Sequence, residues 1–126
     1  MQCLAVVRQH PANTGWQRDL SVSHIKIGDV LVAQGDGASA LAVYRKSLAI
    51  AETLAGRDPA NTQWQVDLAI SCGKIGGHDG LSVVERRAFL LRGRKILQEL
   101  KRDGRLHPSQ DQGAWFDAAL ATLPLR

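Results

Sequence analysis

Two cysteines, four prolines, one tyrosine and no long apolar run mark this chain first by what it has little of. Cys3 and Cys72 stand 69 residues apart with no CxxC spacing. That excludes a disulfide framework and a cysteine-rich zinc site, and two unpaired thiols suit a reducing compartment, so we expect the cytoplasm. Crossing a bilayer takes about 18 consecutive apolar residues, and nothing here approaches that; no membrane span is expected. The four-residue run Leu4–Val7 near the amino terminus is too short for a signal peptide.

Chemistry is also scarce. His10, His24, His78 and His107 are scattered without ligand spacing, so no metal is expected. No serine has a histidine and a carboxylate arranged around it by any motif, which leaves nucleophilic catalysis without support. The stretch "CGKIGG" at 72–77 invites a phosphate-loop reading. It fails, because Leu68 stands where the first glycine is needed and Ile75 where Ser or Thr must follow the lysine. The sequence therefore predicts a protein that is not an enzyme and carries no cofactor.

What is present is duplication. "PANTGWQRDL" at 11–20 recurs as "PANTQWQVDL" at 59–68, and "KIG" at 26–28 recurs at 74–76, both at a spacing of 48. A fixed period of this size is the mark of a repeated structural unit. Within the first copy, Trp16, Leu20, Ile27 and Leu31 form one helical stripe. His24 lies on it as a packed, hydrogen-bonded histidine, with Cys72 as its small buried counterpart in the second copy. Asn13/Thr14 and Asn61/Thr62 read as helix starts, Gly35 as a stop and Asp36 as the next cap. A second helix follows over roughly 38–55, ended by Gly56 and Pro59. Asp19 and Asp67 acquire no role from the sequence.

At these positions the chain resembles the tetratricopeptide (TPR) family. Gly28, Gly35, Ala40, Tyr44 and Leu48 follow its spacing of glycine, +7 glycine, +12 alanine, +16 aromatic and +20 aliphatic. The 48-residue period exceeds the usual ~34, and the surplus sits in a first helix extended back to Trp16. This is similar to the long-repeat TPR arrays of bacterial signalling and effector proteins. The resemblance implies an all-α, TPR-like α-solenoid of antiparallel helix pairs. Close approach at Gly28 and Ala40, with Tyr44 filling the gap between units, is part of that expectation.

Four segments follow. Residues 1–10 match 49–58 and read as the tail helix of a truncated preceding repeat; 11–58 form a complete repeat. Residues 59–106 form a second, degenerate one, in which Trp64, Leu68, Cys72 and Ile75 renew the stripe but Asp79 replaces Leu31. Unpaired, that carboxylate is costly to bury. With Gly73, Gly76, Gly77 and Gly80 nearby, the helix should stop at 75–77, the glycines being those of a worn repeat. Ser82 and Glu85, at capping-box spacing, start the next helix, 82–103, which Gly104 stops. Its register against 40–55 stays open by a residue or two, since "AIAE" at 49–52 resembles "ILQE" at 96–99. Residues 107–126 read as a C-terminal capping helix over 109–123, with Trp115, Ala119 and Leu123 on its inner face and Trp115 echoing Trp16 and Trp64.

Two surfaces are candidates for function. The resemblance implies a groove lined by first helices: Val22, Ile25, Lys26, Asp29 and Ala33, with Ile70 and Lys74 in the second unit, receiving a protein or peptide partner. Against it, Lys26 and Asp29 are spaced for a surface ion pair contributing about 0.2–0.5 kcal/mol. The other surface is a basic stripe. Net charge is +4, and Arg87, Arg94, Lys101 and Arg105 fall within about 40° on a helical wheel, extended by Lys95 and Arg102, with Leu91 among them. Such a stripe can meet nucleic acid or an anionic surface. No aromatic side chain interleaves with it, so nucleic acid is the weaker reading.

The favoured expectation is a non-catalytic scaffold for protein–protein interaction, the C-terminal part of a larger array. Since about three repeats are generally needed for stability, self-association through exposed terminal helix flanks, Leu4–Val7 among them, is the alternative to a longer array.

Overall fold

The structure, a computed structural model, describes residues 13–124. The expected tail helix over 1–10, with its Leu4–Val7 flank, lies outside them. Five helices follow in order: α1 (Thr14–Ala33), α2 (Gly37–Arg57), α3 (Thr62–Gly76), α4 (Val83–Arg102) and α5 (Gly113–Ala121), with a single 3-10 turn at Pro108–Gln110 before the last. No strand occurs among the described residues.

The duplicated phrase starts both long first helices in the same way. Asn13 accepts a hydrogen bond from Trp16 N, and Asn61 from Trp64 N, each at 3.0 Å. An asparagine oxygen here satisfies one of the amides that a helix start leaves without a partner. Asp36 does the same for α2 through Ser39 N at 3.1 Å, and Ser82 for α4 through Glu85 N at 3.2 Å. Gly35 and Gly104 end their helices at φ +81° and +70°, a conformation that favours glycine.

Successive helices run antiparallel. Gly28 meets Tyr44 and Ser21 meets Ser47, so α2 folds back along α1. Ser47 meets Ser71, and Gln65 reaches Ala55 O, so α3 folds back along α2. α1 and α3 lie side by side, tied at both ends by Arg18–Asp67 and Asp29–Lys74. The hydroxyls of Ser21, Ser47 and Ser71 form a buried chain with 2.9 and 3.1 Å links across the three helices. Buried polar groups of this kind are tolerated because each has a partner.

Small residues set the helix separation. A methyl group on Gly28 would lie 2.7 Å from Tyr44 Cδ1, and one on Gly76 the same distance from Leu90 Cγ. Gly76 is Gly28 moved by 48 residues, yet Leu90 stands 46 after Tyr44. Ser47, Ala51 and Leu54 find their buried counterparts in Gly93, Leu97 and Leu100 at the same 46. The open register of 82–103 is thereby fixed. α3 stops at Gly76, short of the length of α1, and a longer connection rejoins the pattern two residues early.

Two packed clusters result. Ala40, Tyr44, Leu48 and Ala51 of α2 meet Leu68, Cys72 and Ile75 of α3, so Tyr44 does fill the space between the two units. Val66, Ala69, Leu90, Leu97, Phe116 and Leu123 form the other.

Five expectations need correction. Trp115 does not face the core: it is 46% exposed, and Phe116 beside it is 1% exposed. The inner face of α5 runs Phe116, Ala119, Leu120 and Leu123, and its helix spans 113–121, not 109–123. Ile27 lies on the stripe by spacing but is 36% exposed, because Gly28 and Leu20 take the inner positions. Gly56 does not end α2, which continues through it to Arg57. Nor are the glycines of 73–80 marks of wear. Gly73 seats Phe116 and Trp115, Gly76 seats Leu90, and Gly80 seats His78.

This packing predicts opposite signs for two glycine substitutions. Gly28→Ala overpacks against Tyr44 and should lower stability in urea unfolding by about 1–3 kcal/mol. Gly56→Ala, in a helix with nothing within 4 Å, should raise it by about 0.5–1 kcal/mol.

Candidate functional site

α1, α3 and α5 share one side of the protein, and three clefts run together there. The first, about 390 Å³, lies between α1 and α3 and includes Val22, Ile25, Lys26, Asp29 and Ile70. The second, about 760 Å³, is bordered by Asp29, Val32, Lys74, His78, Arg86 and Trp115. The third, about 290 Å³, is formed by Ile70, Gly73, Lys74, Gln112, Trp115 and Phe116. Asp29 belongs to the first and second, Ile70 to the first and third, and Lys74 and Trp115 to the second and third. Six of the seven groove candidates thus gather around α3. Ala33 is the exception: it stands exposed at the end of α1, and its neighbour Val32 borders the larger cleft.

Asp29 holds the centre. Tyr44 Oη donates to its Oδ1 at 2.5 Å, and Lys74 Nζ lies 3.1 Å from the same oxygen and 3.2 Å from Oδ2. The ion pair expected between Lys26 and Asp29 within one helix is therefore replaced by one between units. Lys26 remains exposed at the mouth of the first cleft. Asp67, without a role in the sequence, receives Arg18 at 2.7 and 3.3 Å and Gln63 at 2.9 Å, closing that cleft's other end. Its repeat counterpart Asp19 is exposed.

Trp115 forms the wall of the remaining clefts. Its indole lies across the last turn of α3, where methyl groups on Gly73 and Gly77 would come within 3.1 and 3.4 Å of it. Phe116 meets it edge-on, the ring centroids 5.1 Å apart, which fixes the indole while leaving its outer surface to solvent. The echo of Trp16 and Trp64 concealed this position. The signal that was available is the 3–4 residue spacing of Phe116, Ala119, Leu120 and Leu123, which selects Phe116 as the inner aromatic.

His78 borders the larger cleft with both ring nitrogens engaged. Gly80 N donates to Nδ1 at 2.9 Å, so Nε2 carries the proton and donates to Gly37 O at 2.7 Å. The contact joins the α3–α4 connection to the start of α2. His24 behaves otherwise than expected. Burial, reinforced by Lys46, lowers its pKa and holds it neutral, and its Nδ1 has no hydrogen-bond partner among the described residues. Burial pushes the Cys72 thiol up to about 11, which makes it a packing residue and a poor nucleophile at neutral pH. No group of three metal-ligating side chains gathers among the described residues, and no helix among them is long and apolar enough to cross a membrane.

The basic stripe of α4 is drawn largely into internal contacts. Arg94 pairs with Asp117 at 3.3 Å and Lys101 with Asp111 at 3.1 Å. Arg87 donates to Pro124 O. Arg105 turns back to Thr62 and to the carbonyls of Pro59 and Ala60. Arg102 lies 3.5 Å from its neighbour Asp103, while Lys95 and Leu91 are exposed. Comparison with protein-family models, with curated proteins and with solved structures returned no match.

The single tyrosine makes the centre of the site measurable. Burial, then Asp29 as hydrogen-bond acceptor and as a charge, raises the Tyr44 pKa above its ordinary value of 10.0. The neutral phenol is the form the fold prefers, so its contribution is complete below about pH 10 and is lost as pH rises beyond it. Phenolate absorbance should therefore appear together with loss of helical circular dichroism. A reversible phenolate transition near pH 10 with helicity intact would contradict the Tyr44–Asp29 contact.

Proposed function

We propose that this chain is a TPR-like helical-repeat module, non-catalytic, which receives a segment of a protein or peptide partner along the α1–α3–α5 side. One observation carries the reading: three neighbouring clefts adjoin, the first and third sharing Ile70 and the second and third sharing Lys74 and Trp115. Apolar walls with a few polar groups at fixed places suit an extended segment or a short helix. Trp115 offers a flat apolar surface of the kind that anchors interfaces. Lys26, exposed at the opposite end, favours an acidic group there, and Lys74 can exchange Asp29 for a partner's carboxylate.

Long-repeat TPR organisation, a place within a larger array and a scaffold role in the cytoplasm complete the proposal. They rest on the repeat positions Gly28, Gly35, Ala40, Tyr44 and Leu48 and on the antiparallel pairing of α1 with α2 and α3 with α4. The nucleic-acid reading gains nothing from the geometry. Most of its arginines and lysines already face carboxylates and carbonyls, and only Lys95 stands clear of them.

A peptide library selected on the immobilised chain tests this. Calorimetry on the enriched peptides should show affinity falling at least tenfold, about 1.4 kcal/mol, in Trp115→Ala, and falling also in Lys26→Glu. Lys95→Glu should leave it unchanged. Binding that is lost in Lys95→Glu and retained in Trp115→Ala would move the site to α4.

A further inference from the structure

The second helix pair departs from the first at one enclosed position. Ala40 is 0% exposed and packs inside the first cluster. α2 begins at Gly37 and α4 at Val83, 46 residues on, so the counterpart of Ala40 in α4 is Arg86. A guanidinium thus stands where the other pair has a fully enclosed methyl group. It is half-buried, and its Nε donates to Gly76 O at the end of α3, at 3.1 Å. Arg86 borders the cleft of about 760 Å³ together with Trp115, Lys74 and Asp79. Its Nη groups bond to nothing, and no carboxylate lies within 4 Å of them, among the described residues. Arg18, Arg92 and Arg94, by contrast, each hold a carboxylate.

We infer that Arg86 is the receptor for a single carboxylate on the partner segment, an Asp or Glu side chain near the apolar group that seats on Trp115. This rests on the proposed role of the clefts and names the partner's chemistry in the largest of them. Enclosing part of a guanidinium is costly unless its donors find acceptors, and one carbonyl serves only one of its five N–H groups. The two Nη groups form the fork that a carboxylate fits. The other charges of the cleft set the valence of the ligand. Lys74 and Asp29 pair with each other, and Gly80 N and Gly37 O hold His78 as the neutral tautomer. That leaves Arg86 and Asp79, which is exposed and makes no ion pair among the described residues. A monoanion on Arg86 meets limited opposition from Asp79. A phosphate, with nearly two charges, meets more from Asp79 and Asp29 together. Lys74 differs in already holding Asp29, so a carboxylate there must displace one, whereas at Arg86 it displaces none.

Three peptide pools, identical except for Glu, Gln or phosphoserine fixed at a central position, are the probes, selected on the immobilised full chain. Calorimetry on the enriched peptides should show the Glu form binding at least tenfold more tightly than its Gln twin. That preference should vanish in Arg86→Gln, return in part in Arg86→Lys, and persist in Lys26→Glu. Asp79→Asn, at an exposed position, should strengthen binding of the Glu form. Circular dichroism reports the fold of each variant, and the Glu-to-Gln change in the peptide needs no variant of the chain. Equal binding of Glu and Gln peptides would overturn this inference and leave the proposed function standing. A Glu preference that survives in Arg86→Gln would overturn it too, assigning the carboxylate to Lys26 or Lys74. Tighter binding of the phosphoserine pool would overturn the choice of a carboxylate. No binder from any pool would overturn the proposed function together with it.

Discussion

Everything in this protein depends on Tyr44 lying flat against Gly28 with its hydroxyl on Asp29. The glycine lets α1 and α2 approach until the ring spans the gap. The ring then reaches Cys72 and Ile75 on α3, and the hydroxyl fixes the carboxylate that holds Lys74. One side chain therefore sets the spacing within the first helix pair, the contact between pairs and the centre of the clefts. A buried hydroxyl without an acceptor is costly, and an exposed ion pair alone contributes little. Joined, they make the first cleft and the second parts of one surface.

The second pair repeats the principle with different chemistry. Leu90 replaces Tyr44 against Gly76, giving apolar contact but no hydroxyl, so no counterpart of the Asp29 node forms there. Its place is taken by α5. Phe116 fills the space over Gly73 and Gly93, and Trp115 lies over the end of α3. The glycines that deprive α3 of helix propensity are those that admit two aromatic rings. Shortening α3 also frees the connection in which His78 can reach Gly37. Divergence between the copies is where the cleft acquires its walls.

Much of the fold was legible because it is written in local signals. Asn13, Asp36, Asn61 and Ser82 are helix caps, and Gly35 and Gly104 are stops, each within a residue or two of where periodicity placed it. That Val22, Ile25, Lys26, Asp29, Ile70 and Lys74 would share one side was legible too, since the resemblance and the duplication made α1 and α3 equivalent helices. What sequence spacing could not supply was partnership across helices. Lys26 and Asp29 are three apart in the chain, yet Asp29 pairs with Lys74, 45 residues away. Arg18 and Asp67 likewise meet only once α1 and α3 lie side by side. The basic stripe read as a candidate surface for an anionic partner because nothing in α4 itself announces Asp111 and Asp117 on a later segment. Trp115 misled through its echo of Trp16 and Trp64, when Phe116 had the better claim to the core.

The proposed partner site lies where α1, α3 and α5 meet, and mapping backbone amide shifts by NMR on titration with a bound peptide tests it most directly. The largest changes should fall on Ile70, Gly73, Lys74 and Trp115, with smaller ones at Val22 and Lys26. Changes confined to Leu91, Lys95 and Arg102, with the α3 amides unmoved, would contradict it.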